Sequence, residues 1–214
     1  MLEMEIIFLI KENIYYRRLY QDLAQSFSLD LVQEHLKPVR VLDRYFDTPD
    51  LKFLPKGASF RVRERRFLTG QEPEGRLAIK TVHPDNDKTK LALLREERRL
   101  ILDGWKLQKI NEFFEMFGEM LNCEPLKSII AVEELSEEIQ LGEGDEHFHL
   151  SFDKVTYIDE VTYNHQTEYI LEIESHGVPI VILEDIGEYL MEKWPLEHTK
   201  ENKYLRGMRF LNLI

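Results

Sequence analysis

Three stretches of this chain carry like charges two residues apart: Glu3-Met4-Glu5, Arg61-Val62-Arg63-Glu64-Arg65 and Glu172-Ile173-Glu174. On a strand, side chains two apart share a face. A strand with one apolar face and one like-charged face must bury the first and find counter-charge or water for the second. That demand constrains the fold more than any other feature. Acids on some strands and cations on others, turned into one interior, would suit a polyanion held together with divalent metal.

The alternation recurs along the chain. Leu2, Met4, Ile6, Phe8 and Ile10 form one face of the first segment, and Glu3 and Glu5 share the other. Further strands are expected over residues 39–46, 58–67, 76–82, 90–101, 127–141, 147–153 and 167–175. Asp47-Thr48-Pro49-Asp50 reads as a turn. Helical spacing predicts a helix capped by Asn13, carrying Tyr16, Leu19, Tyr20, Leu23 and Phe27, and another after Asp103, carrying Trp105 to Leu121. Two more are expected at 180–193 and 200–211. Eight strands joined mainly by hairpin-scale connections favour antiparallel order and can close into a barrel with a narrow interior. The expected fold is α+β: an eight-stranded antiparallel barrel, or tunnel, with helices packed outside. No linker or repeat divides the chain, so one domain over 1–214 is expected.

A formal net charge of -12 excludes the broad basic footprint that duplex DNA requires, so no nucleic-acid partner is expected. No apolar run approaches the ~20 residues that span a bilayer, so no membrane partner is expected either. Cys123 is the only cysteine, which rules out an intrachain disulfide and fits a reducing compartment. Glu3 and Glu5 stand where a signal peptide carries basic residues, and a cytoplasmic location is expected. The oligomeric state stays open.

Glu3, Glu5, Glu172 and Glu174 are hard oxygen donors of the kind that hold Mg²⁺ or Mn²⁺, although a solvated strand face explains any one pair taken alone. Arg61, Arg63 and Arg65 share a face, with Lys80 and Arg95 on the next two strands; together they could grip phosphate oxygens. A surface ion-pair ladder with Glu64, Glu96 or Glu97 is the alternative. His147 and His149 share a face with Asp153, a weak match to a Zn²⁺ site. Cys123 has no obvious partner base. There is no phosphate-cradling glycine loop and no nucleophile elbow.

The segment Tyr45-Phe46-Asp47-Thr48-Pro49-Asp50-Leu51, continued by Gly57-Ala58 and Phe60-Arg61-Val62-Arg63, resembles the CYTH domain of the triphosphate tunnel metalloenzymes. That family includes thiamine triphosphatases, inorganic tripolyphosphatases and class IV adenylate cyclases. Leu77-Ala78-Ile79-Lys80, Arg95-Glu96-Glu97, residues 150–153, residues 169–174 and residues 202–207 follow in the family's order, so the resemblance covers about residues 1–210. It implies that Glu3, Glu5, Glu172 and Glu174, with Asp153, bind the metal. It implies that Arg61, Arg63, Lys80, Arg95 and Lys203 bind the phosphates, and that Glu97 is the catalytic acid on the fifth strand. The activity implied is metal-dependent hydrolysis of a small phosphorylated substrate: tripolyphosphate, thiamine triphosphate or a nucleoside triphosphate. A non-catalytic phosphate-binding protein and a class IV adenylate cyclase are the alternatives.

Two positions depart from the family pattern. Its opening motif is E-x-E-x-K, and Ile7 stands where the lysine belongs, a residue linked to positioning the attacking water. Its sixth strand is usually basic, whereas this one reads Glu133-Glu134-Leu135-Ser136-Glu137-Glu138. A desolvated charge-assisted contact is worth ~1.5–3 kcal/mol, so losing two cations predicts a weaker hold on a highly charged anion.

Overall fold

The structure, a computed structural model, describes residues 2–11, 15–68, 74–87, 89–102 and 126–214, with only the backbone described for 33–37. The alternating segments form β1 (Leu2–Ile10), β2 (Leu31–Asp47), β3 (Ser59–Phe67), β4 (Glu74–Val82), β5 (Leu93–Leu102), β6 (Lys127–Glu143), β7 (Glu146–Ile158) and β8 (His165–His176). The described helices are α1 (Tyr16–Ser26), α2 (Ile180–Lys193) and α3 (Lys203–Phe210); β9 (Glu197–Thr199) is a short extra strand. All pairings are antiparallel. The order β5-β4-β3-β2-β6-β7-β8-β1 is completed by a β5–β1 pairing, which closes the eight-stranded barrel. β1 makes the closure by pairing along both edges: Met4 to Ile10 lie against β8 on one edge, and on the other Leu2 to Glu5 lie against β5 and Ile7 to Leu9 against β9.

Several boundaries differ from the sequence reading. β2 begins at Leu31, because Leu31 and Val32 pair with Leu141 and Gln140 before a register shift ahead of Lys37. β5 begins at Leu93, because Lys90 is drawn into a turn by its N–H bond to the Asp87 carbonyl. The final helix begins at Lys203, where Asn202 Oδ1 accepts the Leu205 N–H at 3.0 Å, and residues 197–199 pair with β1 instead. α1 starts behind Tyr15, which supplies no side-chain cap. Asn13, the helix expected after Asp103, and Cys123 lie outside the described residues.

The apolar faces point outward and are covered. Ile6 and Phe8 of β1, Phe148 and Leu150 of β7, and Leu171 and Ile173 of β8 pack against Leu19 and Leu23 of α1 and Leu183, Ile186 and Leu190 of α2. Removing this apolar area from water is the main term holding the helices on the sheet. Asp22 joins the two helices by accepting from Tyr189 Oη and Trp194 Nε1, both at 3.0 Å. No described helix is long and apolar enough to cross a membrane.

The inward faces change character along the barrel. Towards one end they are charged. Towards the other, Ile7, Tyr45, Ile130, Val132, Val155, Tyr157 and Ile170 form an apolar plug with Tyr204 and Met208 of α3. Ile7 is therefore a plug residue, 1% exposed, and not a missing member of the charged lining alone.

Candidate active site

The charged half of the interior encloses a cavity of about 100 Å³. Glu3, Arg61, Arg63, Lys80, Glu97, Asp153, Glu172, Glu174 and Lys203 all line it. Arg95 is also buried, with one guanidinium nitrogen bonded to Glu5. Closure at β1–β5 explains this convergence: it sets Glu3 opposite Arg95, while the β1–β8 register sets Glu5 opposite Glu174. A larger hollow of about 490 Å³ lies against Arg40, Leu42, Glu64, Arg66 and Leu135, and none of Glu3, Glu5 and Glu174 lines it.

The acids divide into two groups. Glu3, Glu5 and Glu174 each bring one oxygen within 4.8 Å of the others. Asp153 and Glu172 instead gather with Glu134 around Lys203. The first group fits a hard divalent ion on two grounds: every donor is a carboxylate oxygen, and Glu3 Oε2 is buried without a hydrogen-bond partner. His147 stacks on His176 with centroids 4.7 Å apart, and neither joins this group.

The cations are paired across the cavity. Lys80 donates to Glu3 Oε1 at 2.5 Å. Arg63 grips Asp43 in bidentate fashion, at 2.7 and 2.6 Å, and reaches Glu134 at 3.3 Å. Arg61 donates to the same Asp43 at 3.3 Å, with Glu97 3.7 Å away. Arg65 donates to Glu138 at 2.5 and 2.6 Å. The Nε donors of Arg61 and Arg65, two residues that line the cavity, are buried without a hydrogen bond, while Arg95 Nε lies 3.6 Å from Glu3 Oε2. Unsatisfied guanidinium donors facing a cavity are what an anion's oxygens would satisfy.

Asp43, Glu134 and Glu138 were not among the expected site residues. The same two-residue rule finds them: Val41, Asp43 and Tyr45 share a face of β2, and Glu134, Ser136 and Glu138 share a face of β6. Glu133 and Glu137 point the other way.

The Tyr45 to Leu51 motif has a structural role. Asp47 Oδ1 accepts the N–H groups of Thr48 and Phe53 at 2.7 and 3.0 Å, and its Oδ2 accepts Tyr204 Oη at 2.7 Å. Tyr45 stacks on the Tyr204 ring at 5.4 Å. The motif thus fixes α3, and α3 delivers Lys203 into the interior.

Comparison with known proteins agrees with this architecture. The model of the CYTH domain family matches residues 1–207. The chain belongs to the CYTH domain family. Among solved structures, this CYTH chain is similar to a protein of Pyrococcus horikoshii OT3, at 18% identity and TM-score 0.59 with 99% of each chain covered. It is also similar to a Hippeastrum protein described as a candidate adenylyl cyclase with a dominant triphosphatase activity, at 17% identity and TM-score 0.58 with 95% of each chain covered. A candidate adenylate cyclase of Bacillus halodurans is 17% identical, with TM-score 0.55, over 95% of this chain and 96% of that one. At these identities the likeness shows the fold alone. A search of curated proteins finds no match.

Burial and pairing set the charge states inside the CYTH barrel. Burial pushes the Glu5 carboxyl up to about 7 despite Arg95 beside it, and pushes Glu134 up to about 7 despite Lys203 and Arg63. Burial would raise Asp43 too, but Arg63 and Arg61 together hold it well below the usual carboxylate range. Glu174 is likewise held low against its burial by His176, 3.6 Å away, and by Lys80. Glu97 is lowered against its burial by Lys80 and Arg61, so it is an anion able to accept a hydrogen bond.

Proposed function

We propose that this CYTH barrel binds a triphosphate in its charged half and hydrolyses it with the help of Mg²⁺ or Mn²⁺. The observation that carries the reading is the meeting of Glu3 and Glu174 with Lys80 and Arg61 around one cavity, with the buried Glu5–Arg95 pair beside them. A divalent ion at the three carboxylates would neutralise phosphate charge and polarise the phosphorus centre. Arg61, Arg63, Lys80, Arg95 and Lys203 would hold phosphate oxygens, exchanging carboxylate partners for phosphate. Glu97, ionised and beside Lys80 and Arg61, would orient the attacking water by accepting its hydrogen bond. Asp153 and Glu172 would act on the metal side through their neighbours.

A second reading, retention of a phosphorylated ligand without turnover, draws on two observations. Ile7 belongs to the apolar plug, and Glu134 and Glu138 already engage Arg63, Lys203 and Arg65. The deciding experiment presents tripolyphosphate, thiamine triphosphate and ATP in Mg²⁺, Mn²⁺ or EDTA, and follows phosphate and cyclic AMP. Phosphate release that stops in EDTA supports hydrolysis. Binding with no product favours retention, and cyclic AMP from ATP would replace both with a cyclase.

A further inference from the structure

Ser136 stands between Glu134 and Glu138 on the inward face of β6, and it lines the same cavity as they do. The residue is 2% exposed, and its Oγ makes no hydrogen bond to any described residue. Carboxylates flank it on β6 and face it on β7, yet nearly all of their oxygens are committed elsewhere. Glu134 turns Oε1 to Arg63 at 3.3 Å and Oε2 to Lys203 at 2.8 Å. Both oxygens of Glu138 accept from Arg65, at 2.5 and 2.6 Å. Asp153 is the register partner of Ser136 on β7, and its Oδ2 accepts from Ser151 at 3.1 Å and from Lys203 at 2.6 Å. Asp153 Oδ1 is buried without a hydrogen bond too, so the serine does not donate even there. A hydroxyl taken out of water without a partner lowers the stability of the fold. Such costs persist where a ligand completes the hydrogen bond.

We propose that Ser136 is a phosphate-binding residue, whose Oγ–H donates to a phosphate oxygen of the bound triphosphate. The inference rests on the reading of the charged half as a triphosphate site. Its place among the cations supports it. Side chains on one strand face are about 7 Å apart, and the acids on either side of Ser136 hold Arg63 and Lys203 in one direction and Arg65 in the other. An anion drawn to those cations comes within reach of the hydroxyl between them. Arg65 lines the cavity as well, with its Nε buried and free of hydrogen bonds, and so offers such an anion a second donor. The donor is also well held. β6 is paired along both edges here, through Val39 of β2 and Asp153 of β7, so the hydroxyl moves only by rotation within its own side chain. A donor fixed in a water-poor cavity needs little rearrangement to meet an anionic oxygen. Serine supplies it without a further charge, where a cation would call for another counter-ion.

The test pairs thermal melts of the phosphate-free protein with calorimetric titration of tripolyphosphate in Mg²⁺, for the wild type and Ser136→Ala. The substitution deletes one oxygen and leaves both flanking acids in place. The expected result has two parts. The melting midpoint is unchanged or raised, because the deleted group had no partner, and the affinity for tripolyphosphate falls about tenfold, the worth of one hydrogen bond to a charged group. Unchanged affinity would overturn the role of Ser136 and leave the barrel standing as a phosphate site. A lowered midpoint, whatever the affinity, would mean that the hydroxyl bonds within the protein, to Asp153, and would overturn it as well. A wild type that binds no tripolyphosphate would overturn both this inference and the reading beneath it.

Discussion

Asp43 anchors two arginines that the phosphate-binding reading needs, and it is fully buried. Removing one partner of a buried ion pair leaves the other uncompensated, at a cost of ~3–5 kcal/mol. Asp43→Asn is therefore expected to lose stability on that scale in urea denaturation, and added tripolyphosphate should restore part of it by supplying the missing anion. A loss below ~1 kcal/mol would mean that Arg61 and Arg63 find other partners. Glu138 gives a pH signature. Burial opposes its charge, but His149, 3.6 Å away, and the charge of Arg65 hold its value down at about 2, against an ordinary 4.5. The folded value lies below the unfolded one, so the stabilisation is complete above pH 4.5 and is lost as pH falls towards 2. Stability of the wild type should fall more steeply than that of Glu138→Gln across this window, by up to ~1.4 kcal/mol per pH unit. Equal slopes in denaturation series would contradict the pairing. The inward acids and cations were legible because two-residue spacing marks a strand face. Their partners were not, because Asp43 meets Arg63, and Arg63 meets Glu134, only once β2 lies between β3 and β6.

α3 is the element on which the site's deepest cation depends. Tyr204→Phe removes the bond to Asp47 without emptying the plug, and a hydrogen bond to a charged group is worth ~1.5–3 kcal/mol. A thermal melt should show destabilisation of that order. An unchanged midpoint would mean that the Tyr45 to Leu51 motif does not hold α3 through this contact. Gly207 lets the helix approach the barrel: a Cβ there would lie 2.8 Å from Ile130 Cδ1 and 3.3 Å from Tyr157 Cδ1. Gly207→Val is expected to lift α3, lowering both stability and phosphate binding. Strands were legible wherever alternation was strict, as in β1, β7 and β8. The early part of β2, with Lys37 and Pro38 in place of alternation, was not, and neither was the three-residue β9, whose residues have no pattern of their own and are recruited by β1. The turn at residues 47–50 was read from Pro and Asp chemistry, but Asp47's bond to α3 spans 157 positions and has no local trace.

The whole molecule works by closure. β1 lies between β8 on one edge and β5 on the other, and that double pairing brings Glu3 and Glu5 beside Glu174 and within reach of Lys80 and Arg95. The apolar plug under α3 ends the charged lining at Ile7, Tyr45 and Ile170, so a ligand has one charged half in which to bind. The central claim is that these acids and cations hold metal and phosphate jointly in that half. Calorimetric titration of tripolyphosphate, in Mg²⁺ and in EDTA, into the wild type, Glu5→Gln and Arg61→Ala tests it most directly. The account predicts binding that weakens at least tenfold when Mg²⁺ is removed, an equal weakening in Glu5→Gln with Mg²⁺ present, and loss in Arg61→Ala under both conditions. Affinity that is the same with and without metal, and unchanged by either substitution, would place the ligand elsewhere and contradict it.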